Sequence, residues 1–479
     1  MSVLKLDEEY ADYLQDESRM KGWADYIAFP HSTQDVCEVL SLATENGWPV
    51  TMQGGRTGIT GGCVPRGGLV MNLSRMNGIG EIDRTRLTVQ PGAALAEIRK
   101  SLDGSGYFFP SDLTETTATI GGMISNNASG ARSFRYSSVR PWIYGLQVVL
   151  ASGETVQLER GIHRADGLGF SLGSISGTLP ELNLPSNIKT AAGYYVRPNM
   201  DLVDLFIGAE GTLGVITEAV LQLLPRQAAL CGLAAFFASE ADALEFVVFL
   251  RDYTKPVSIE FFDNRALDLL RRMKREYPAF SELPDLPPGY HTALYFEFEG
   301  EIPYVVIEEL EKAVDCWIAD HASDIDILKN FRHAVPESAN MLIGERKRTV
   351  PDLTKLGTDM SVPDGQLDRL MRIYHEGLDQ AGLEYVIFGH IGDNHLHVNI
   401  LPRSMEEYER GRALYFSWAK EVVNMGGSVS AEHGIGKLKT DFLQLMFSAD
   451  GLEKMQSVKR QLDPAGLLNP GNLFRCDDD

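Results

Sequence analysis

Three histidines crowd the segment Phe388-Gly389-His390-Ile391-Gly392-Asp393-Asn394-His395-Leu396-His397-Val398-Asn399, and Glu432-His433 follows about thirty residues later. If Asp393 and Asn394 form a two-residue hairpin turn, His390 lies directly opposite His397, with Cβ atoms roughly 4.5–5.5 Å apart on one face. That separation suits two ligands of one metal ion. Alternation supports the strand reading, because His395, His397 and Asn399 share one face and Leu396, Val398 and Ile400 the other.

A second kind of chemistry is written in glycine. Gln53-Gly54-Gly55-Arg56-Thr57-Gly58-Ile59-Thr60-Gly61-Gly62 packs five glycines into ten residues, so backbone N–H groups can approach an anion such as a pyrophosphate without obstruction by Cβ. No Gly-Lys-Ser/Thr closes the loop, and a strand rather than a helix follows, which excludes both the Walker loop and the dinucleotide fingerprint. Two further stretches of small and hydrogen-bonding residues lie in the same half. Pro110-Ser111-Asp112 with Thr119–Gly130 is one, and Phe206-Ile207-Gly208-Ala209-Glu210-Gly211-Thr212-Leu213-Gly214-Val215-Ile216-Thr217 is the other.

The elements that must carry these residues are legible in outline. Ser32-Thr33-Gln34-Asp35 reads as a capping box opening a helix that closes near Asn46-Gly47. Strands follow at residues 49–52, 69–73 and 87–89, a helix over 93–102, a hairpin of residues 143–150 with 155–158, and a strand over 215–224 stopped by Pro225. Residues 160–187 lack a period and read as an excursion. Beyond Pro225, strand-like 233–237, 257–262 and 292–298 alternate with helical 240–252, 265–276 and 303–319, with a proline-rich surface loop over 278–290. At 479 residues the chain implies two or three domains.

Composition narrows the function classes. A formal charge of −22 repels phosphate backbones and anionic lipid, so nucleic acid is not an expected partner. Five scattered cysteines without a Cys-x-x-Cys disfavour a disulfide framework and iron–sulfur or zinc–thiolate sites, so redox chemistry requires a bound cofactor. No apolar run reaches the roughly 18 residues of a membrane span, and the acidic N-terminus is unlike a signal peptide, which makes the cytoplasm the expected compartment.

On its three glycine-rich stretches the first half resembles flavoproteins of the vanillyl alcohol oxidase and p-cresol methylhydroxylase type. Phe331-Arg332-His333-Ala334-Val335-Pro336-Glu337, Gly357-Thr358-Asp359-Met360-Ser361-Val362-Pro363, the histidine hairpin, Ser430-Ala431-Glu432-His433-Gly434-Ile435-Gly436 and Leu467-Leu468-Asn469-Pro470-Gly471 narrow the likeness. They are similar to the D-2-hydroxy acid branch: D-lactate, glycolate and D-2-hydroxyglutarate dehydrogenases. The resemblance implies an α+β fold: a two-subdomain FAD-binding domain over 1–225, then an α+β substrate (cap) domain with an antiparallel sheet over 226–479, whose C-terminal segment returns to the flavin. It implies FAD contacts from Gly54, Gly55, Arg56, Thr57, Gly58, Gly61 and Gly62 in the first stretch. Pro110, Ser111, Thr119, Gly121, Gly122, Asn126, Ser129 and Gly130 follow in the second, Glu210, Gly214 and Ile216 in the third, and Asn469 near the C-terminus. Some relatives tether the flavin through a histidine in the first loop, whereas here Arg56 stands there and no histidine lies between His31 and His163; dissociable, non-covalent FAD is expected.

By the same resemblance His390, His397 and Glu432 bind a divalent ion, with zinc as first expectation and manganese or iron as alternatives. His395 departs from the asparagine common in relatives, and bystander, added ligand and substrate contact all stay open for it. Oxidising a 2-hydroxy acid removes a proton from oxygen and a hydride from Cα, which the flavin can accept. His433 is the candidate base, since imidazole titrates near working pH. Arg332 offers two parallel N–H donors to the substrate carboxylate. Lys355, with the run Arg346-Lys347-Arg348, could serve a second carboxylate, and Asn399 could hydrogen-bond substrate. Electrons then leave to an external acceptor, a quinone, cytochrome or electron-transfer flavoprotein, and a homodimer is compatible with the sequence. Two rival functions share part of these features: a flavin oxidase of alcohols or aryl substrates, and an FAD-binding subunit of a larger electron-transfer complex.

Overall fold

The structure is a computed structural model that describes residues 2–226, 229–319 and 322–475. Cys476 lies outside the described residues, and the other four cysteines are free thiols. Near the N-terminus a four-stranded sheet runs in the order Val3–Lys5, Tyr26–Ala28, Leu69–Asn72, Val50–Gln53. Its last three strands are parallel, so a crossover must join Ala28 to Val50. Helix Thr33–Asn46 is that crossover. Ser32 and Asp35 form the reciprocal capping box at its start, and Gly47 ends it with φ 66°, a conformation that costs glycine little. Its Val36, Val39, Leu40 and Ala43 bury against Val50, Leu69 and Met71, each large side chain contributing about 1.5–3 kcal/mol.

A five-stranded antiparallel sheet follows, ordered Ile79–Asp83, Arg86–Val89, Val215–Gln222, Ile143–Val149, Thr155–Glu159. The late strand Val215–Gln222 inserts at its centre, which carries the third glycine-rich stretch against the second. The expected excursion over 160–187 holds a small hairpin of its own, Gly169–Leu172 with Ile175–Thr178.

The second half is built on an eight-stranded antiparallel sheet. Its order is Asp315–Ala319, Leu230–Phe237, Thr292–Glu299, Ser258–Phe262, Tyr385–His390, His395–Ile400 and Leu356–Gly357, with Met360–Ser361 also pairing on His395–Ile400. Among the described residues seven α-helices accompany it, one of them Ala322–Lys347, which carries Arg332 and an internal Pro336. The helix expected over 303–319 is corrected: only Tyr304–Glu309 is α-helical, and Asp315–Ala319 is an edge strand paired with Leu230–Phe237. The β-formers Cys316, Trp317 and Ile318 find a sheet edge, and tertiary pairing overrides the helical spacing of the valines and isoleucine upstream.

The C-terminal segment crosses back to the first sheet. Leu468 bridges in parallel to Val50, and Asn469 Oδ1 accepts the amide of Met52 at 2.7 Å. This docking depends on Asp463, a fully buried carboxylate that accepts Lys459 Nζ at 2.8 Å and the amides of Leu467 and Leu468 at 3.1 and 2.8 Å. Removing the carboxylate leaves a largely buried ammonium without its counter-charge and takes the acceptor from two amides. Asp463→Ala is therefore expected to cost about 3 kcal/mol or more and to speed amide exchange at Leu468 and Met52, read by calorimetry and hydrogen exchange; an unchanged melting temperature contradicts the assignment.

Candidate active site

The histidine hairpin forms, but not with the two-residue turn. Residues Ile391–Asn394 make the connection, three of them in a 3-10 turn with Asn394 left-handed at φ 51°, and the register sets His390 opposite His395 while His397 faces Phe388. Two features hold the longer turn. Arg251 donates to Ile391 O and, at 2.6 Å, to Asn394 Oδ1, and Asn394 Nδ2 donates to Asp364 at 2.8 Å. His397 thus lies diagonally across from His390, with ring centroids 5.6 Å apart. Gly389 makes room for it, because a Cβ there would lie 3.0 Å from the His397 ring.

Each imidazole has one nitrogen turned outward. His390 Nδ1 donates to Glu260 at 2.6 Å, His397 Nδ1 donates to the carbonyl of Thr358 at 2.9 Å, and His395 Nε2 lies 3.3 Å from Asp359 Oδ1. The other nitrogens face Glu432, whose Oε1 is 3.4 Å from His390 Nε2. One donor atom from each of His390, His395, His397 and Glu432 falls within 4.8 Å of the others. An outer acceptor that fixes ring orientation is the arrangement of metal-binding histidines, so this donor set fits a divalent ion.

Electrostatics sorts the cluster. Burial raises the Glu432 carboxyl, but Lys189, His390 and His395 carry it well below the usual carboxylate range. Burial lowers His390, yet Glu260 and Glu432 lift it to about 9. Burial and the neighbouring imidazoles hold His397 well below the ordinary imidazole value. Lys189 makes an ion pair with Glu432 and approaches Ser133 Oγ at 2.7 Å.

Asp359 organises the next layer. Its carboxylate, fully buried, accepts the amides of Glu432 and His433 at 3.0 and 3.1 Å, Ser430 Oγ at 2.6 Å and Lys439 Nζ at 2.7 Å. His433 Nδ1 lies 3.5 Å from it. Burial pushes the Asp359 carboxyl up, and His433, Lys439 and His395 overcome that and hold it well below its ordinary value.

One cavity of about 480 Å³, in the range of ligand pockets, joins the two chemistries. Its walls include Gly54, Gly55, Thr119, Gly214 and Asn469 together with Arg332, His390, His397, Glu432 and His433. Of the expected flavin-contact residues, Gly61, Pro110 and Ser111 are absent from the walls; the other sixteen line them. Arg56 lines the cavity while its guanidinium stacks over Tyr13 at 4.4 Å and donates to Asp12 O. The buried Thr119 Oγ1 has no partner among the described residues, and a Cβ on Gly54 would collide with it. A buried hydroxyl beside an unobstructed glycine backbone fits an extended, phosphate-bearing cofactor such as FAD.

Arg332 reaches Glu260 through Nε at 3.4 Å, and its terminal nitrogens make no hydrogen bond among the described residues. Burial works against its charge, but Glu260, Glu297 and Asp112 outweigh that, and the guanidinium is held above its ordinary range. Lys355 and Asn399 are not among the wall residues; burial lowers the Lys355 amine, and Asn399 is buried with Nδ2 unpartnered among the described residues. Arg346 is committed to Glu384 and the carbonyl of Leu401.

Glu260, Asp359 and Lys189 were not singled out by the sequence. A glutamate inside the otherwise apolar Ser258–Phe262 strand was the available signal for the first. Asp359 sat unremarked within the Gly357–Pro363 run, and Lys189 had no local signal, since its partner Glu432 lies more than two hundred residues away.

The chain matches the family model for FAD linked oxidases, C-terminal domain, over residues 226–473, and that for an FAD binding domain over residues 24–159. The D-lactate dehydrogenase of Archaeoglobus fulgidus is 30% identical, covering 94% of this chain and 91% of its own. The D-2-hydroxyglutarate dehydrogenase of Stutzerimonas stutzeri is 29% identical over 94% and 90%. Among solved structures, p-cresol methylhydroxylase superposes with a TM-score of 0.69 at 15% identity, covering 100% of this chain and 94% of that one, a likeness of fold alone.

Because the folded Asp359 carboxyl ionises well below its ordinary value, its contribution to stability is complete above about pH 4 and is lost as pH falls further. Asp359→Asn breaks a buried pair, which costs about 3–5 kcal/mol, and flattens that acid dependence. Calorimetry between about pH 3 and 7 checks this; parallel curves for variant and parent contradict it.

Proposed function

The chain belongs to the FAD-linked oxidases, and on that footing we propose that it oxidises a D-2-hydroxy acid of the lactate, glycolate or 2-hydroxyglutarate class to the 2-oxo acid with metal assistance. One observation carries the reading: the glycine cradle, Arg332, His433 and the histidine–glutamate cluster all line a single cavity. In this reading residues 1–225 serve the flavin, and residues 226–479 serve the substrate and ion.

When bound, FAD supplies a two-electron acceptor for the Cα hydride, and a divalent ion held by His390, His397 and Glu432 supplies Lewis acidity at the hydroxyl oxygen. The remaining steps belong to side chains. Arg332 spends only Nε on Glu260, which leaves its paired terminal N–H groups to clasp the substrate carboxylate. Its buried acidic neighbours keep the guanidinium charged and aimed. His433 accepts the hydroxyl proton. Burial drives its pKa below the ordinary imidazole value, so the ring is neutral at working pH, and a nearby cation pushes it in the same direction. With Nδ1 turned to Asp359, Nε2 is the nitrogen free to take the proton. Electrons pass onward to an external quinone, cytochrome or electron-transfer flavoprotein.

Mixing the flavin-loaded protein anaerobically with D- and L-lactate, glycolate and D- and L-2-hydroxyglutarate tests the reading. Loss of the visible flavin absorbance is expected with a D-acid or glycolate, and bleaching by neither enantiomer of any of them rejects it. His433→Gln is expected to retain FAD while slowing flavin reduction by about 10²–10⁴-fold. In the parent the acid limb of kcat/KM should fall below the ordinary imidazole value of about 6.5, because activity is lost only when a base of lowered pKa is protonated. A limb above that value, or a variant as fast as the parent, removes His433 from this role.

A further inference from the structure

His395 is 0% exposed; its Nε2 is paired with Asp359, and its Nδ1 makes no hydrogen bond among the described residues. An imidazole always carries at least one N–H and, when neutral, one lone pair. Leaving a buried polar atom unsatisfied costs about 1–3 kcal/mol, and a packing role would not require a histidine to bear that at Nδ1. The surroundings show what each nitrogen is for. Nε2 faces Asp359 Oδ1 at 3.3 Å, the outward relation that Glu260 has with His390 and the Thr358 carbonyl with His397. Nδ1 faces inward, 3.9 Å from Glu432 Oε1, and the His395 ring lies 4.4 Å from that of His397 and 5.4 Å from that of His390.

We propose that His395 is a fourth protein ligand of the divalent ion, through Nδ1, so that the site is three imidazoles and one carboxylate. The assignment rests on the metal reading above. Two donors bonded to one ion at about 2.1 Å lie at most about 4.2 Å apart, and the four donors here fall within 4.8 Å of one another. A contraction of about half an ångström brings the widest pair into range, a side-chain adjustment rather than a rebuilding. The hairpin register is the cause. By setting His390 opposite His395 rather than His397, the four-residue turn brings a third imidazole into the cluster.

The chemistry of the ion changes accordingly. Three imidazoles favour zinc, iron or nickel over manganese, which prefers oxygen donors. Four protein ligands close a tetrahedral zinc, whereas a six-coordinate ion keeps two positions, the number needed by a hydroxyl and a carboxylate oxygen of one 2-hydroxy acid. An ion held by all four protein ligands would therefore have to expand beyond four-coordination to take both substrate oxygens.

X-ray absorption on the flavin-loaded parent, reconstituted with cobalt(II), counts the imidazoles; three are expected, and two at full occupancy overturn the proposal. This measurement needs no variant, so it decides the matter even if a substitution fails to fold. His395→Asn and His395→Gln are then compared with the parent for metal and flavin content. Each should keep FAD, lose one imidazole from the absorption spectrum and bind cobalt(II) at least about 10–100-fold more weakly. An unchanged affinity and spectrum also overturns it. If the parent takes up no stoichiometric metal, the metal reading itself fails, and that result is distinct from a parent that binds one ion through two imidazoles.

Discussion

Everything at the centre of this molecule hangs from a buried carboxylate, that of Asp359, placed where two distant segments cross. A carboxylate without water is tolerable only when its lone pairs are filled, and here two amides, a hydroxyl and an ammonium fill them. Those donors all come from residues 430–439, so satisfying the charge and positioning Glu432 and His433 are the same event. With both amides fixed on one acceptor, the Glu432 side chain reaches the histidines while His433 reaches the cavity. The strand pairing of Ser361 with Ser428 continues the same seam into the sheet.

A second carboxylate holds this segment from the opposite side. Glu210, in the third glycine-rich stretch, accepts the amides of Ile435 and Gly436 at 2.6 and 2.7 Å, and burial pushes its carboxyl up to about 7. Its backbone is left-handed, and its carbonyl accepts Asn469 and Asn472 from the returning C-terminal segment. Residues 430–436 are therefore clamped between the large antiparallel sheet and the glycine-rich half. The continuous apolar core points the same way, since Leu213 and Ile216 belong to one cluster with Leu233 and Phe296. Separating the halves would strip Glu210 of the two amides it accepts and would split that shared core, which makes the cavity a rigid junction rather than a cleft between loosely tethered lobes.

How much of this was legible in the sequence depends on whether the cause was local. The capping box at Ser32 and the glycine at position 47 bound their helix as read, because both signals act within a turn of the chain. The openness of the glycine loop, which lines the cavity, was legible for the same reason. The hairpin was legible as strands but not in register, since its turn is fixed by Arg251 from a helix about 140 residues away, and a register slip of two keeps every side chain on its face. That parity is why the face of His390, His395 and His397 was correct although the pairing was not. The edge strand Asp315–Ala319 was hidden because only its pairing with Leu230–Phe237 makes it a strand. Asp359, Glu260 and Lys189 escaped because a buried charge is defined by partners that periodicity does not reveal.

The charge of the site explains why an ion belongs to the proposed chemistry. The chain carries −22 overall, yet the proposed substrate is an anion. Near the cavity several cations are already paired: Arg132 with Glu297 and Asp112, Arg99 with Asp112, Lys189 with Glu432 and Arg332 in part with Glu260, and of these only Arg332 lines the walls. The walls themselves set Arg56 and Arg332 against Glu115, Glu210, Glu260 and Glu432, so they offer an incoming carboxylate orientation but almost no net attraction. Arg332 alone cannot supply it, because the same glutamate that aims its guanidinium partly cancels its field. A divalent ion held by His390, His397 and Glu432, as proposed, would reverse the balance without adding a basic side chain to an already crowded core. Held there, such an ion would also supply Lewis acidity at the substrate hydroxyl, so one charge would both draw the acid in and ease loss of the hydroxyl proton.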